Sequence, residues 1–376
     1  MMIYLDNAAT TYPKPKKVYR ALDEANREYA FNAGRGNYPA ARKVFDMIET
    51  TRDSLASLIH VSKESVCFES SATEALNLII RGIDFHSSDN VYLSPFEHNA
   101  IVRPLFELQK QIGFRIHFIP FDKETWEVNL PLLNDQFVQN PPKAVFLSHI
   151  SNVTGYILPF EPIFALSRKF DAINVLDCAQ SFGIVNPNIK NVDFLVFAGH
   201  KSLYASFGIA GFFDLTHCPL NVVKSGGTGS DSLNHDMPLS GHGRYESGSL
   251  NSVAVAGLGA SVSWLKENPP YTHEKELTEY LISRLAECPN VHSYLPKKTD
   301  CIFGIVSFGI DSYLPSDVGT ILGEDYSICV RTGYHCSPFV HGFIGSLSHQ
   351  GTVRASVGAF NTKEDIDALI SALQEL

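Results

Sequence analysis

Short apolar runs separated by longer stretches of helical spacing set the pattern of this chain. Val66-Cys67-Phe68, Val91-Tyr92-Leu93, Ile116-His117-Phe118-Ile119, Ala144-Val145-Phe146-Leu147, Asn174-Val175-Leu176 and Phe194-Leu195-Val196-Phe197 are too short for core helices and rich in the β-branched and aromatic residues that suit buried strands. Their alternation with helical segments predicts an α/β fold with a largely parallel sheet. In such folds ligands collect at the carboxyl ends of the strands. A helix is expected over 254–266, rich in glycine, alanine and serine and packed closely on a neighbour. Asn268-Pro269-Pro270 then breaks the pattern. A second, smaller α/β unit follows, with strands expected at 302–308, 328–330 and 352–355. The segment 222–244, with Gly226-Gly227-Thr228-Gly229-Ser230, reads as a functional loop.

Candidate chemistry lies at the ends of these runs. Gly199-His200-Lys201 stands between Val192–Phe197 and a second run, Gly208–Phe213. A lysine there is desolvated, which moves its amine toward the range where it attacks an aldehyde. The run through Leu176 ends in Asp177, with Gln180 three residues on. An acid at that edge suits the ring nitrogen of pyridoxal phosphate (PLP), and Gln180 suits its phenolic oxygen. Ser71-Ala72-Thr73-Glu74 has the form of a capped helix start, whose free N–H groups and dipole favour a phosphate. His98, after the run ending at Leu93, can stack on a flat cofactor. Each feature alone has a bland use: a solvated loop lysine, a capping carboxylate, an ordinary helix start, a structural histidine.

Taken in order with Tyr4–Thr11, Glu97-His98-Asn99, Ser148–Gly155, Glu246–Asn251, Arg331–Cys336 and Val353–Ser356, these segments give a chain that resembles the class V aminotransferase-like, fold-type I PLP family. Within it the resemblance is to the cysteine desulfurases and selenocysteine lyases. The resemblance implies an α/β fold of the PLP-dependent transferase type I: a large domain with a mainly parallel seven-stranded sheet, and a smaller C-terminal α/β domain. The large domain is expected over 13–262, and the small one over 1–12 and 263–376, carrying the cysteine loop. It implies that Lys201 carries PLP, that His98 stacks on the ring, that Asp177 meets the ring nitrogen, and that Gln180 and Asn152 approach the ring oxygen. Ala72, Thr73 and His200 would hold the phosphate, joined by Ser249 from the other subunit of a homodimer. Arg354 would clamp the substrate carboxylate through its bidentate fork, with Arg331 and Arg35 lining the same pocket. Two positions depart from the family. Ala198 stands where a serine or threonine is usual, removing one phosphate hydroxyl at a cost of about 1 kcal/mol. Ser249-Leu250 replaces threonine-proline and keeps the hydroxyl.

Cysteine usage sharpens the picture. The seven cysteines show no C-x-x-C pair and no metal spacing, and with no signal peptide they point to free thiols in a reducing cytoplasm. Cys67, Cys178, Cys301 and Cys329 sit among apolar neighbours, as small core residues do. Cys336 lies in the turn-rich Gly333-Tyr334-His335-Cys336-Ser337-Pro338, read as a mobile loop in an electropositive setting. By resemblance it is the sulfur-accepting cysteine, making the reaction L-cysteine to L-alanine with a Cys336 persulfide, for a sulfur-acceptor protein. Iron–sulfur cluster assembly is one destination. A selenocysteine lyase, and a class V aminotransferase acting on another amino acid, remain the alternatives.

Across 376 residues the chain is 44% hydrophobic and 19% charged, with a formal net charge of −10. That acidity, without a basic run, argues against nonspecific nucleic-acid binding. Lys14-Pro15-Lys16-Lys17 reads as a solvated loop before a helix. No stretch approaches the ~18 apolar residues of a membrane span.

Overall fold

The computed structural model describes residues 2–33, 36, 38–215, 220–228 and 233–376. Arg35, Cys218 and the Gly229-Ser230 end of the glycine-rich segment lie outside the described residues. Strands β1 (Ile3–Tyr4), β2 (Val66–Glu69), β3 (Asn90–Leu93), β4 (Arg115–Phe118), β5 (Pro142–Ser148), β6 (Ile173–Asp177), β7 (Phe194–Ala198) and β8 (Ala210–Asp214) precede β9 (Val291–Ser293), β10 (Ile305–Ile310), β11 (Ile328–Cys329), β12 (Arg331–Gly333) and β13 (Thr352–Ser356). Helices α1 (Lys16–Glu28), α2 (Pro39–Ala56), α3 (Ala72–Gly82) and α4 (Asn99–Ile112) lie in the first part of the chain.

The expected mostly parallel sheet of seven strands is present, in the order β2-β8-β7-β6-β5-β3-β4. Within it β8 alone runs against the others, pairing antiparallel with both β7 and β2. The central apolar runs are continuous because both faces are covered, whereas edge strand β4 is partly exposed. Period-2 alternation sends Val145, Leu147, Leu176, Leu195 and Phe197 into one core, and Ala144, Phe146, Val175, Phe194 and Val196 into the other. Burying each such side chain contributes about 1.5–3 kcal/mol. At the sheet's edge, Gly211 of β8 pairs with Phe68 of β2 so closely that a Cβ on it would stand 2.0 Å from the Cys67 carbonyl oxygen.

A second sheet, β12-β13-β10-β9, is antiparallel. The strand expected over 328–330 divides at Val330. β11 pairs parallel with β1, while β12 joins β13 and sets Arg331 opposite Arg354. The amino-terminal segment therefore packs on elements from the far end of the chain. The helix expected over 254–266 spans Ser252–Glu267 and packs on α1 and α2, running through the position 262/263 where the sequence suggested a boundary. No described helix is long and apolar enough to cross a membrane.

Because the β2 backbone leaves no room beside Gly211, Gly211→Ala is expected to destabilise the protein by about 1–3 kcal/mol. A melting temperature equal to the parent's would contradict this account of the edge.

Candidate active site

Register aligns the carboxyl ends of the central strands: Ser148 of β5 sits beside Asp177 of β6, and Asp177 beside Val196 of β7. A pocket opens there, at the edge where ligands collect in open α/β sheets. Its walls include Ala72 and Thr73 at the start of α3, His98 at the start of α4, Asp177 at the end of β6 with Gln180 just after it, Ala198 at the end of β7, and His200 and Lys201 in the turn that follows. Asn152, from the segment after β5, completes it. Local rules explain the placement. Ser71 caps α3 by accepting the Glu74 N–H at 3.2 Å, which leaves the first turn's other N–H groups facing the pocket. Gly199 admits the lysine turn because a Cβ there would stand 2.5 Å from the Ile209 carbonyl oxygen.

Burial sets the electrostatics. Desolvation lowers the Lys201 pKa, with the Arg354 and Arg331 charges adding to it and Asp177 and Cys336 opposing it. Desolvation raises the Asp177 carboxyl, against a 2.9 Å hydrogen bond from the Ala179 N–H and the Lys201 charge. His98 is pushed down to about 3 by burial and then by Lys201 and nearby arginines. Its Nδ1 accepts the Ala100 N–H at 3.0 Å, so the neutral ring carries its proton on Nε2. His200 is also lowered to about 3, by burial first, and its Nδ1 is buried without a partner. A buried orphan nitrogen beside a helix start fits a phosphate-bearing group.

The second sheet brings the remaining residues. Arg354 is buried: Nη1 donates to the Asn152 carbonyl and Nη2 to Asp6, each at 2.7 Å, while Nε is buried without a partner. Arg331 lies across the ladder from it, and two cations so placed repel unless an anion joins them. Cys336 is exposed, and the turn expected to be a mobile loop carries hydrogen bonds on both sides of the thiol. The Cys336 carbonyl accepts the Asn99 N–H at 2.7 Å, next to His98, and Asn152 bonds both flanking residues. Thus Lys201 lines the pocket, and the cysteine turn, 135 residues further on by number, is tied to it through the pocket residue Asn152 and through Asn99 beside His98.

The expected cofactor contacts Asn152, Gln180 and Ser249 also have partners within the protein, while the expectations for two cysteines and for Lys14 need revision. The Asn152 side chain is engaged by the Cys336 turn, and Gln180 donates to the Ala8 carbonyl at 2.9 Å. Ser249 is exposed, outside the pocket of its own chain, where its hydroxyl accepts from Asn32 at 3.3 Å. Cys67 and Cys178 are buried, whereas Cys301 and Cys329 are only partly so. Lys14 is not a solvated loop residue. Its ammonium donates to Thr11 Oγ1 and to the His200 carbonyl, each at 2.7 Å, and desolvation lowers its pKa to about 7. Thr10 and Thr11 bond the same carbonyl, so the amino-terminal segment grips the lysine turn from behind. Glu97 was likewise unassigned. It is buried, accepts from Ser94, from the Ser148 N–H at 3.0 Å and from the Ser148 hydroxyl at 2.8 Å, and is pushed up to about 8 by desolvation. Asp6 and Glu97 both stand in quoted motifs, but local sequence gives them no partner.

Among the described residues, no group of three or more histidine, cysteine or acidic side chains is placed to hold a metal. A cleft of about 480 Å³ at the opposite ends of β6 and β7 holds an Arg168–Asp193 ion pair at 2.8 Å and none of the motif residues.

Comparison with known proteins follows the same lines. The family described as aminotransferase class-V matches residues 3–369. A probable cysteine desulfurase of Pyrococcus abyssi is 31% identical, and one of Methanothermobacter thermautotrophicus 30%, each over 100% of this chain and 94% of the relative. The apo structure of a cysteine desulfurase from Thermococcus onnurineus superimposes with a TM-score of 0.91 at 29% identity, covering 100% of this chain and 94% of that one. A cysteine desulfurase from Escherichia coli shares the fold with a TM-score of 0.86 at 24% identity, over 100% and 94%.

Glu97 gives this site a pH signature. With a folded pKa of about 8 against an ordinary 4.5, the folded state keeps a proton that the unfolded state loses. Its contribution to stability is fully present below about 4.5 and is lost as the pH rises toward about 8. Glu97→Gln should flatten that decline in denaturant titrations across the window; an unchanged slope would count against it.

Proposed function

We propose that this chain, which belongs to the aminotransferase class-V family, is a PLP-dependent cysteine desulfurase converting L-cysteine to L-alanine and passing the sulfur to Cys336. One observation supports the reading most: a desolvated lysine lines the pocket, and an exposed cysteine sits in a turn bonded to the pocket residue Asn152 and to Asn99 beside His98. An aminotransferase has no use for the thiol.

The donor set fits PLP. The α3 N–H groups at Ala72 and Thr73, the Thr73 hydroxyl and the orphan His200 Nδ1 would hold the phosphate, Asp177 would face the ring nitrogen, and His98 the ring itself. Ala198 offers no hydroxyl. In this reading Ser249 of a second copy supplies one, which its exposure outside its own pocket supports. Bound, PLP supplies an electron sink for the pair left when the substrate's α-proton departs. Arg354 receives the substrate carboxylate through its unpartnered Nε, and Arg331 shares the charge. Lys201, with its charge disfavoured by burial, takes the α-proton, and protons then return to both Cβ and Cα, the second being the one the substrate thiol gives up. His98 has only its Nε2–H to offer, which makes it a donor in this pocket. The Cys336 thiolate attacks the substrate sulfur. An S–S bond forms, the Cβ–S bond breaks, its electron pair stays on Cβ and is protonated, and alanine leaves a Cys336 persulfide. The reading includes a cytoplasmic homodimer, a protein that accepts the sulfur, and a large unit over 13–262 closed by 1–12 with 263–376.

After incubation with L-cysteine, mass spectrometry should find the Cys336 peptide heavier by one sulfur atom, with alanine released in equal amount. Cys336→Ala should lower sulfur transfer by about 100-fold or more while the cofactor's absorbance band stays. An unchanged rate would remove the thiol from the mechanism. Arg354→Lys should raise KM about tenfold or more, because one ammonium cannot reproduce the fork. An unaltered KM would place the carboxylate elsewhere.

A further inference from the structure

The Cys336 turn has an improbable backbone. His335 and Cys336 both have positive φ, +47° and +59°, and consecutive residues with side chains hold that left-handed conformation only when their surroundings impose it. The surroundings here are specific. Asn152 donates from Nδ2 to the His335 carbonyl at 2.7 Å, and its Oδ1 accepts the Ser337 hydroxyl at 2.7 Å. One amide thus grips the chain on both sides of the cysteine. The Asn99 N–H holds the Cys336 carbonyl, and the Ser337 N–H bonds the Tyr334 carbonyl at 3.0 Å. Asn152, His335 and Ser337 are all buried, so neither amide bond competes with water. The Asn152 carbonyl in turn accepts Arg354 Nη1. The arginine, the cysteine turn and the residue after His98 therefore form one hydrogen-bonded frame.

We propose that Asn152 and Ser337 are positioning residues for sulfur transfer, latching the Cys336 turn so that the thiol stands at the pocket before substrate arrives. The proposal rests on the desulfurase reading above. Asn152 lines the pocket and keeps a second amide hydrogen and a second lone pair beyond these two bonds, so holding the turn leaves it capacity for the ring oxygen. Ser337 has no such second duty: it is buried and does not line the pocket. It is the cleaner residue to test.

In Ser337→Ala the buried Asn152 Oδ1 loses its donor. Single-turnover persulfide formation on Cys336 should fall about tenfold, while cofactor absorbance, melting temperature and the cysteine concentration that half-perturbs the absorbance stay near the parent's. Ser337→Thr, which keeps the hydroxyl, should recover most of the rate. A purely structural role would move cofactor content and melting temperature together with the rate. Persulfide formation at the parent's rate in Ser337→Ala, or a fall that tracks lost cofactor, would overturn the latch. Hydrogen exchange on the unmutated holoenzyme gives an independent check: the Ser337 amide should exchange slowly at rest, and exchange at the unfolded rate would also overturn it. Failure of the parent enzyme to form any persulfide is a separate outcome, one that removes the desulfurase reading itself.

Discussion

Desolvation of the Lys201 amine is the constraint on which the rest of the site depends. An isolated ammonium taken out of water is costly enough that it sheds its proton or recruits a partner. Here both responses are visible, since burial lowers the pKa while Asp177 pulls it back. The turn that carries the lysine is held from behind, where the His200 carbonyl accepts from Lys14, Thr10 and Thr11. Fixing the backbone there fixes the direction from which the amine enters the pocket. Burial first, and then the cations around it, keep His98 neutral, and so a donor at one nitrogen only.

A second consequence is that no single sheet makes the site. The parallel sheet supplies the strand ends, the α3 start and the lysine; the antiparallel sheet supplies Arg354, Arg331 and, through the turn after β12, Cys336. Asp6 and Asn152 join the two by sharing the Arg354 guanidinium. Buried arginine with an orphan Nε is poorly satisfied on its own, which is how a site waiting for a carboxylate should look.

Much of this was legible in the chain. The short apolar runs became β2 to β7 within a residue or two, because strands covered on both faces must be continuously apolar. Asp177 and Lys201 could be read from their position at the ends of such runs. Other expectations failed for a shared reason. Lys14 looked solvated because its neighbours in sequence are charged and prolyl, yet Thr10, Thr11 and the His200 carbonyl enclose it. The Cys336 turn looked mobile because glycine, serine and proline surround it, yet Asn152 and Asn99 hold it. Gln180 and Asn152 keep their expected place at a ring oxygen while also bonding the protein itself.

The chain by itself determined the strand runs, the acid and the amine at their ends, and the kind of chemistry those residue types support, since local polarity and spacing suffice for each. Only the tertiary structure decided which groups lose their water and which backbone atoms are gripped. Both depend on atoms brought from hundreds of residues away, such as Asp6 against Arg354 and Asn152 against the cysteine turn. Burial and hydrogen-bond partnership are properties of that enclosure, and no stretch of sequence carries them alone.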